Sequence, residues 1–175
     1  SGVVNLGSLA VDGTVAVTTN GSGAATLVND AGLNFATSDV GGTLSATATT
    51  GDITDTGALT VAGAATLITG ATGSNIVLDS ANAFASQVTL QAGNGSDTFG
   101  NITFKDSGGV KLDANADAAG DLYINAATDG AVGGVLTVTA STGNITQGVA
   151  LAVTGASSFT TSADDATITL DTTTN

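Results

Sequence analysis

One stretch of this sequence occurs twice. Residues 41–79 recur without a gap as residues 133–171, an offset of 92 residues (133 − 41), with 19 identities in 39 positions. The retained positions are mainly glycines, other small residues and apolar residues. A repeat of this length indicates an array in which each unit buries its apolar surface against its neighbours. We therefore divide the chain, a single segment of residues 1–175, into unit 1 (about 1–83) and unit 2 (about 84–175).

The ends of the sequence suggest an excerpt. There is no initiating Met, and unit 2 breaks off at a point where unit 1 continues into further strands. We expect the chain to be a fragment of a longer repeat protein.

Composition narrows the fold to the all-β class. The 175 residues include 25 Gly and no Pro, Cys, Met, Trp or His, and 42% of them are hydrophobic. The abundant Thr, Val, Ser, Asn and Gly favour strands and turns over helices. The formal net charge of −13 alone would suit a disordered chain, but the hydrophobic content and regular apolar spacing argue that surface is buried.

The spacing of large apolar residues in unit 1 predicts a solenoid. Leu44, Ile53, Leu59, Leu67 and Ile76 lie 9, 6, 8 and 9 residues apart, which is too close for strands joined by helical crossovers. Three such short strands make one coil of roughly 20 to 23 residues, so each unit should contain four to five coils of a parallel β-helix. Each strand should pair with its counterpart one coil away, about 4.8 Å along the axis.

An antiparallel meander is the alternative topology. The short apolar runs of residues 1–39 are separated by turn sequences, and one of these, Asn20-Gly21, also suits a two-residue hairpin. The middle of the chain, residues 81–130, is less regular and has longer loops. Its predicted strands are Val88–Leu90, Ile102–Phe104, Val110–Leu112 and Leu122–Ile124.

A longer motif in unit 2 resembles a known family. The run LTVTASTGNITQGVALAVTGASSFTTSADDATITLD, residues 136–171, places Gly-Asn-Ile-Thr-Gln, Ala-Leu-x-Val-x-Gly and x-Ile-x-Leu-Asp around its strands. This rhythm resembles the repeats of large secreted bacterial surface proteins of the filamentous-haemagglutinin and adhesin type. The resemblance implies a right-handed parallel β-helix at the cell surface or in the medium. It also implies a role in adhesion, aggregation or the building of an extracellular layer.

Charge and hydropathy restrict the partners. Two Lys, no Arg and fifteen Asp oppose binding to nucleic acid or to an anionic lipid surface. No run of about 18 apolar residues is present, so we expect no membrane insertion. A solenoid leaves unpaired strand edges at its ends, and we therefore expect self-association, end to end or side by side. Cell-surface glycans and host receptors are the other expected partners of an adhesin-type segment.

A glycine-rich loop resembles one turn of a calcium-binding array. Residues 92–100, AGNGSDTFG, differ from the nonapeptide GGxGxDxUx only at the first Gly, and Asp97 takes the acidic position. One turn supplies only part of the oxygen shell that Ca²⁺ requires. Asp97 is therefore a candidate metal ligand, and a plain Gly-Asn turn is the alternative.

A second loop places oxygen side chains at alternate positions. Asp113, Asn115 and Asp117 match ligand positions 1, 3 and 5 of a Ca²⁺ loop, but Ala118 stands where the motif has Gly and Ile124 where it has a bidentate Glu. The loop is either a cation site or a solvated acidic turn. Ca²⁺ is thus the single cofactor that the sequence leaves open.

The residues available for catalysis are few. Asp52 and Asp55 form the best pair of carboxylates for acid and base roles, yet unit 2 has Asn144 and Gln147 in their place. Without His, Cys, Arg or Glu, no nucleophile with its base can be assigned. We expect no enzyme, but a structural or adhesive segment of a rigid extracellular stalk, filament or surface layer. A Ca²⁺-dependent surface-layer module and a carbohydrate-binding or carbohydrate-cleaving β-helix are the alternatives.

Overall fold

The computed structural model describes residues 2–94, 99–113, 120–124 and 132–171. In these ranges there is no helix with the length and apolar character that a membrane crossing requires. The strands are β1 (Val4–Leu9), β2 (Thr14–Val15), β3 (Ala25–Asn29), β4 (Leu33–Phe35), β5 (Ser38–Val40), β6 (Leu44–Ala48), β7 (Ile53–Asp55), β8 (Leu59–Val61), β9 (Ala65–Thr69), β10 (Ile76–Leu78), β11 (Ala83–Phe84), β12 (Val88–Gln91), β13 (Ile102–Asp106), β14 (Val110–Leu112), β15 (Asp121–Ile124), β16 (Leu136–Ala140), β17 (Ile145–Gln147), β18 (Ser157–Thr161) and β19 (Ile168–Thr169).

The strands stack into three sheets whose described pairs are all parallel. Sheet A has the order β1-β3-β6-β9-β12-β15-β14-β17-β19, sheet B the order β18-β16-β13-β10-β7-β4-β2, and sheet C the order β11-β8-β5. In unit 1 the chain passes from sheet A through sheet B to sheet C and then returns to sheet A. The predicted parallel β-helix is confirmed, and the antiparallel alternative is wrong.

The length of a coil follows from the contacts between neighbouring coils. In unit 1, Thr50 donates a hydrogen bond to Asp30, which is 20 residues earlier, and the N–H of Asn75 donates to Asp52, which is 23 residues earlier. These separations agree with the predicted coil length. Coils are longer where the units meet, because the next two contacts of this kind span 26 and then 34 residues. The longer separations coincide with the less regular stretch of the sequence, residues 81–130.

The core is a stack of inward side chains from successive coils, and large and small residues alternate from β3 through β6 to β9 of sheet A. Inward positions of sheet A are Ala25 and Leu27 in β3 and Leu44 and Ala46 in β6, each at most 1% exposed. Ala25 pairs with Leu44, and Leu27 pairs with Ala46. In this part of sheet A each large side chain therefore stacks on a small one, whereas in other coils large residues stack on each other, as Leu67 pairs with Leu90.

Glycines are retained between the units where the backbones of two coils touch. The N–H of Gly63 donates to the carbonyl of Gly42 at 3.0 Å, and the N–H of Gly155 donates to that of Gly134 at 3.1 Å. A Cβ atom on Gly63 would lie 2.6 Å from the carbonyl carbon of Gly42. The close approach of the coils at this corner therefore requires glycine.

The second unit does not continue the sheets in the register that the repeat implies. Strand β16 is the sequence counterpart of β6, yet β6 lies in sheet A and β16 in sheet B. Likewise β7 lies in sheet B and its counterpart β17 in sheet A. The exchange occurs at the junction of the units, where β15 pairs with β12 on one side and with β14 on the other.

An isoleucine at equivalent positions of the two units offers a matched test of this packing. Ile76 is fully buried and its counterpart Ile168 is 43% exposed. Ile76→Ala should lower the free energy of unfolding by about 2–5 kcal/mol because it leaves a cavity. Ile168→Ala should lower the free energy of unfolding by less than half of that amount, since the Ile168 side chain is already partly exposed to solvent. Denaturant unfolding followed by circular dichroism in dilute solution measures both; equal losses would contradict the burial described here.

Candidate functional site

Asp52 and Asp55, the best pair of carboxylates that the sequence offers for acid and base roles, lie on opposite sides of one strand. Asp52 is exposed just before β7, and its carboxylate accepts the backbone N–H of Asn75 at 2.7 Å. Asp55 ends the same strand, points inward and is 7% exposed. Residues on opposite faces of a strand cannot approach the same substrate bond. The pair is therefore not arranged for acid and base catalysis.

Asp55 instead stabilises the turn that follows β7 by hydrogen bonds to the next coil. Its carboxylate accepts the backbone N–H of Asp79 at 3.0 Å and of Ser80 at 3.3 Å, together with the side-chain amide of Asn82 at 2.7 Å. The Asn82 side-chain oxygen in turn accepts the N–H of Leu59 at 2.8 Å. A buried carboxylate with several donors is stably accommodated, so the role of Asp55 is to join neighbouring coils.

Asp52 belongs to a column of polar side chains that we call the Asx ladder. It comprises Asp52, Asn75 and Asn101, which precede strands of sheet B and whose side-chain oxygens accept the backbone N–H groups of Asn75, Asn101 and Val135 in the next coil at 2.7–2.8 Å. Asn144 makes the equivalent contact before β17 of sheet A, where its side-chain oxygen accepts the backbone N–H of Thr167 at 2.8 Å. Asp52 and Asn144 are repeat counterparts, so a carboxylate and an amide perform the same task. What unit 2 preserves is the hydrogen-bond acceptor and not the charge.

The junction of the units contains a buried carboxylate beside a cavity of about 450 Å³. Asp106 ends β13 and is 4% exposed. Its carboxylate accepts the N–H of Phe84 at 2.9 Å and of Gly108 at 3.2 Å. Burial raises the pKa of Asp106, and the backbone N–H donors, Phe84 first, oppose that rise because they stabilise the charged form.

Lys111 supplies a positive charge to the same junction. Its ammonium group contacts the carboxylate of Asp113 and lies 3.6 Å from Oδ1 of the buried Asp121. The hydrogen bond with Asp113 raises the pKa of Lys111, and Asp121 adds to this effect, while desolvation opposes it. Asp113, one of the predicted metal ligands, is therefore paired with the ammonium group of Lys111.

The other predicted metal ligands, Asp97, Asn115 and Asp117, lie outside the described residues. Within the described ranges, no three or more His, Cys, Asp or Glu side chains are grouped so that they could hold a metal ion. Asp113 alone of the four candidates can therefore be located, and its neighbour is Lys111.

A polar groove of about 470 Å³ crosses several coils of unit 1. Asp12, Asn34, Asp52 and Thr54 are among its lining residues. The side-chain oxygen of Asn34 is buried in this wall and accepts no hydrogen bond. A buried acceptor without a donor costs free energy and calls for an explanation, and a hydroxyl group of a ligand would provide the missing donor.

Sequence reasoning missed the buried polar residues of the junction. Asp106 continues the inward alternation of Ile102 and Phe104, and this was the signal that it would be buried. Asn82 carries no comparable signal, because its partner Asp55 lies 27 residues earlier in the chain.

Comparison with known proteins agrees with the internal repeat. A family model described as repeats of unknown function (DUF5649) matches residues 22–91 and, directly after them, residues 92–175. No curated protein and no solved structure matches the chain.

The buried carboxylate at the junction predicts a pH dependence. Because burial raises the pKa of Asp106 above its usual 3.8, the folded state binds the proton more tightly than the unfolded state. This group therefore lowers stability progressively as the pH rises from about 3.8 through the folded-state pKa. Asp106→Asn should gain stability relative to the unsubstituted chain between about pH 3 and pH 7, as measured by urea unfolding. Asp12→Asn, at an exposed position, is the control for the lost charge; if both variants show the same pH dependence, the assignment to Asp106 is wrong.

Proposed function

The chain belongs to the DUF5649 family of repeats of unknown function, and we propose that it acts as one rigid segment of an extracellular stalk, filament or surface layer. The observation that carries this proposal is the continuity of sheets A and B through both units. A load along the solenoid is then shared by stacked parallel strands and by one continuous core. Repetition of such a unit extends the structure without any new kind of contact.

The use of the polar residues supports a structural role. Asp52 and Asp55 hold neighbouring coils together through hydrogen bonds, and Asn144 does the same in unit 2. The carboxylates that could have served as acid and base in an enzyme accept hydrogen bonds from the backbone of the next coil. Shape and repetition, and not a reactive group, are what the two units share.

An extracellular, adhesin-type setting fits the chemistry of the sequence. The motifs of residues 136–171 resemble those of secreted bacterial surface proteins, and a fold free of Cys does not rely on the redox state of its surroundings. In this proposal the outward Thr, Ser and Asn side chains face solvent, cell-surface glycans or host receptors. The acidic net charge keeps such a segment soluble and away from anionic lipid and nucleic acid.

Carbohydrate binding is the second candidate, and the groove of unit 1 favours it. Asp12 and Asp52 offer acceptors, and the buried oxygen of Asn34 has no donor. Sugar hydroxyls would supply such donors. Saturable binding of a polysaccharide that Asn34→Ala abolishes, and that Thr60→Ala on sheet C leaves unchanged, would favour this function over a purely structural one.

A rigid segment predicts a narrow distance distribution along its axis. The outward positions Thr14 and Ser158 belong to one column of sheet B and are six coil-to-coil steps apart, whereas Thr54 and Ser158 are four steps apart. At about 4.8 Å a step, the separations are about 29 Å and about 19 Å. The chain has no Cys, so spin labels on Thr14→Cys/Ser158→Cys and Thr54→Cys/Ser158→Cys report these distances specifically. Double electron–electron resonance should give one narrow distance distribution for each variant, with maxima that differ by about 10 Å. Broad, overlapping distributions would contradict a rigid stalk.

The calcium-dependent alternative rests on Asp97, Asn115 and Asp117 together with Asp113. The structural proposal predicts that thermal unfolding, followed at the β-sheet minimum of circular dichroism, has the same midpoint in Ca²⁺ and in chelator. The reason is that coil stacking and the Lys111–Asp113 contact need no added cation. Loss of the β signal in chelator, together with insensitivity of Asp113→Asn to Ca²⁺, would establish the calcium-dependent module instead.

A further inference from the structure

The groove of unit 1 follows one corner of the solenoid over four successive turns from sheet A to sheet B. Each of these turns contributes a glycine to the lining, and the four are Gly13, Gly32, Gly51 and Gly73. A Cβ atom added to Gly13 or Gly73 would meet no heavy atom within 4 Å, so the space beside both residues is open. The groove therefore runs along the solenoid axis and has room for an extended chain.

Asn34 lies in the wall of this groove with an acceptor that has no donor. It is the outward residue of β4 and pairs with Thr14 of one neighbouring strand and with Thr54 of the other. Both neighbouring coils are thus present, yet the buried side-chain oxygen of Asn34 receives no hydrogen bond. The terminal torsion of an Asn side chain rotates easily, so this oxygen can turn towards a donor in the groove. A ligand with N–H or O–H groups would remove the cost of the unpaired acceptor.

The charged groups of the groove are carboxylates. Asp12 and Asp52 line it and are exposed, whereas both Lys residues of the chain lie in β13 and β14. Oδ1 of Asp52 accepts two hydrogen bonds from Asn75 and Oδ2 accepts one, at 3.2 Å, which leaves part of the capacity of Oδ2 unused. The carboxylates and the Asn34 oxygen accept hydrogen bonds and donate none. The groove therefore suits a ligand that is rich in donors, and it repels an anionic one.

The coil repeat spaces these acceptors along the axis. Asp12, Asn34 and Asp52 belong to three successive coils, so at about 4.8 Å a step the two carboxylates are about 10 Å apart along the axis. A sugar unit in an extended β-linked polysaccharide is about as long as one such step, so successive units of one chain can meet successive acceptors. Among the described residues, no three or more His, Cys, Asp or Glu side chains are grouped to hold a metal ion. The arrangement thus favours an extended molecule over a single cation.

Unit 2 has a cavity at the equivalent corner, but its charge differs. Asn144 and Thr146 are the repeat counterparts of Asp52 and Thr54, and they line the cavity of about 450 Å³ at the junction. There an amide replaces the exposed carboxylate, and Lys111 lines the same cavity. The position of the cavity is therefore a property of the repeat, and the exposed carboxylates are a property of unit 1.

We propose that the groove of unit 1 binds a linear polysaccharide of amino sugars, whose free ammonium groups meet Asp12 and Asp52 while a neighbouring N–H or O–H group donates to Asn34. An ammonium group offers three donors and a positive charge. It is therefore the sugar substituent that best complements acceptor-only side chains in a chain with a net charge of −13. This inference deepens carbohydrate binding, the second candidate function, and rests on it.

Titration calorimetry with a short oligomer of β-linked glucosamine tests the proposal, and the N-acetylated oligomer of the same length is the uncharged comparison. At about pH 5.5 the carboxylates are ionised and the amines of the sugar are protonated. The glucosamine oligomer should bind the parent chain saturably. It should also bind at least about tenfold more tightly than the N-acetylated oligomer, because hydrogen bonds to charged groups are the stronger ones.

Three substitutions remove the proposed contacts, and a fourth removes a charge elsewhere. Asp12→Asn and Asp52→Asn should each weaken binding of the glucosamine oligomer roughly two- to fivefold, and Asn34→Ala should weaken it about tenfold. Asp52→Asn keeps an acceptor in the Asx ladder, as Asn144 does in unit 2, so the fold is retained. Asp39→Asn removes an exposed carboxylate on sheet C and should leave binding unchanged. Circular dichroism verifies that each variant keeps the β signal of the parent.

The outcomes separate this inference from the function on which it rests. If both oligomers bind equally and Asn34→Ala weakens both, the groove binds carbohydrate and the ammonium contact is wrong. If Asp39→Asn weakens binding as much as Asp12→Asn does, the oligomer responds to the net charge of the chain and the groove is not its site. If neither oligomer binds, the inference is overturned, and carbohydrate binding then stands only if another polysaccharide binds in a manner that Asn34→Ala abolishes.

Discussion

In-register stacking of one coil on the next is the constraint from which the other features of this molecule follow. Parallel strands about 4.8 Å apart fix which residues face each other over the whole length of a sheet. An inward Leu must therefore meet a residue of suitable volume one coil away, as Leu27 meets Ala46. The same register brings backbones into contact at the corners, which is why Gly42 and Gly63 keep their identity in unit 2 as Gly134 and Gly155.

The turns between strands need hydrogen-bond acceptors, because the ladder of backbone hydrogen bonds is interrupted there. Buried N–H groups left unpaired would cost free energy, and short polar side chains satisfy them. Asp55 and Asp106 do this from the inside, and the Asx ladder does it from the outside. Asp is suited to this task since its short side chain reaches the nearest backbone, as the carboxylates of Asp52, Asp55 and Asp106 do.

The fold was accessible from sequence to the extent that it is periodic. Alternation at Val110–Leu112 predicted a strand with those bounds, and the spacing from Leu44 to Ile76 predicted the coil length of unit 1. The exchange of sheets between β6 and β16 was not accessible, because the two strands have matching local sequences and differ in the strands with which they pair. Local alternation indicates that Asp52 and Asp55 face opposite ways, but it does not reveal their partners Asn75 and Asn82, which lie 23 and 27 residues later in the chain.

Charge decides where such a molecule can make contacts. Both Lys residues lie in the strands of the unit junction, Lys105 in β13 and Lys111 in β14, and Lys111 meets Asp113 and Asp121 there. With a net charge of −13, two copies repel each other at long range. At physiological ionic strength that repulsion is largely screened beyond about 8 Å. Within that distance the nearest charges decide, as they do where Lys111 meets Asp113 and Asp121.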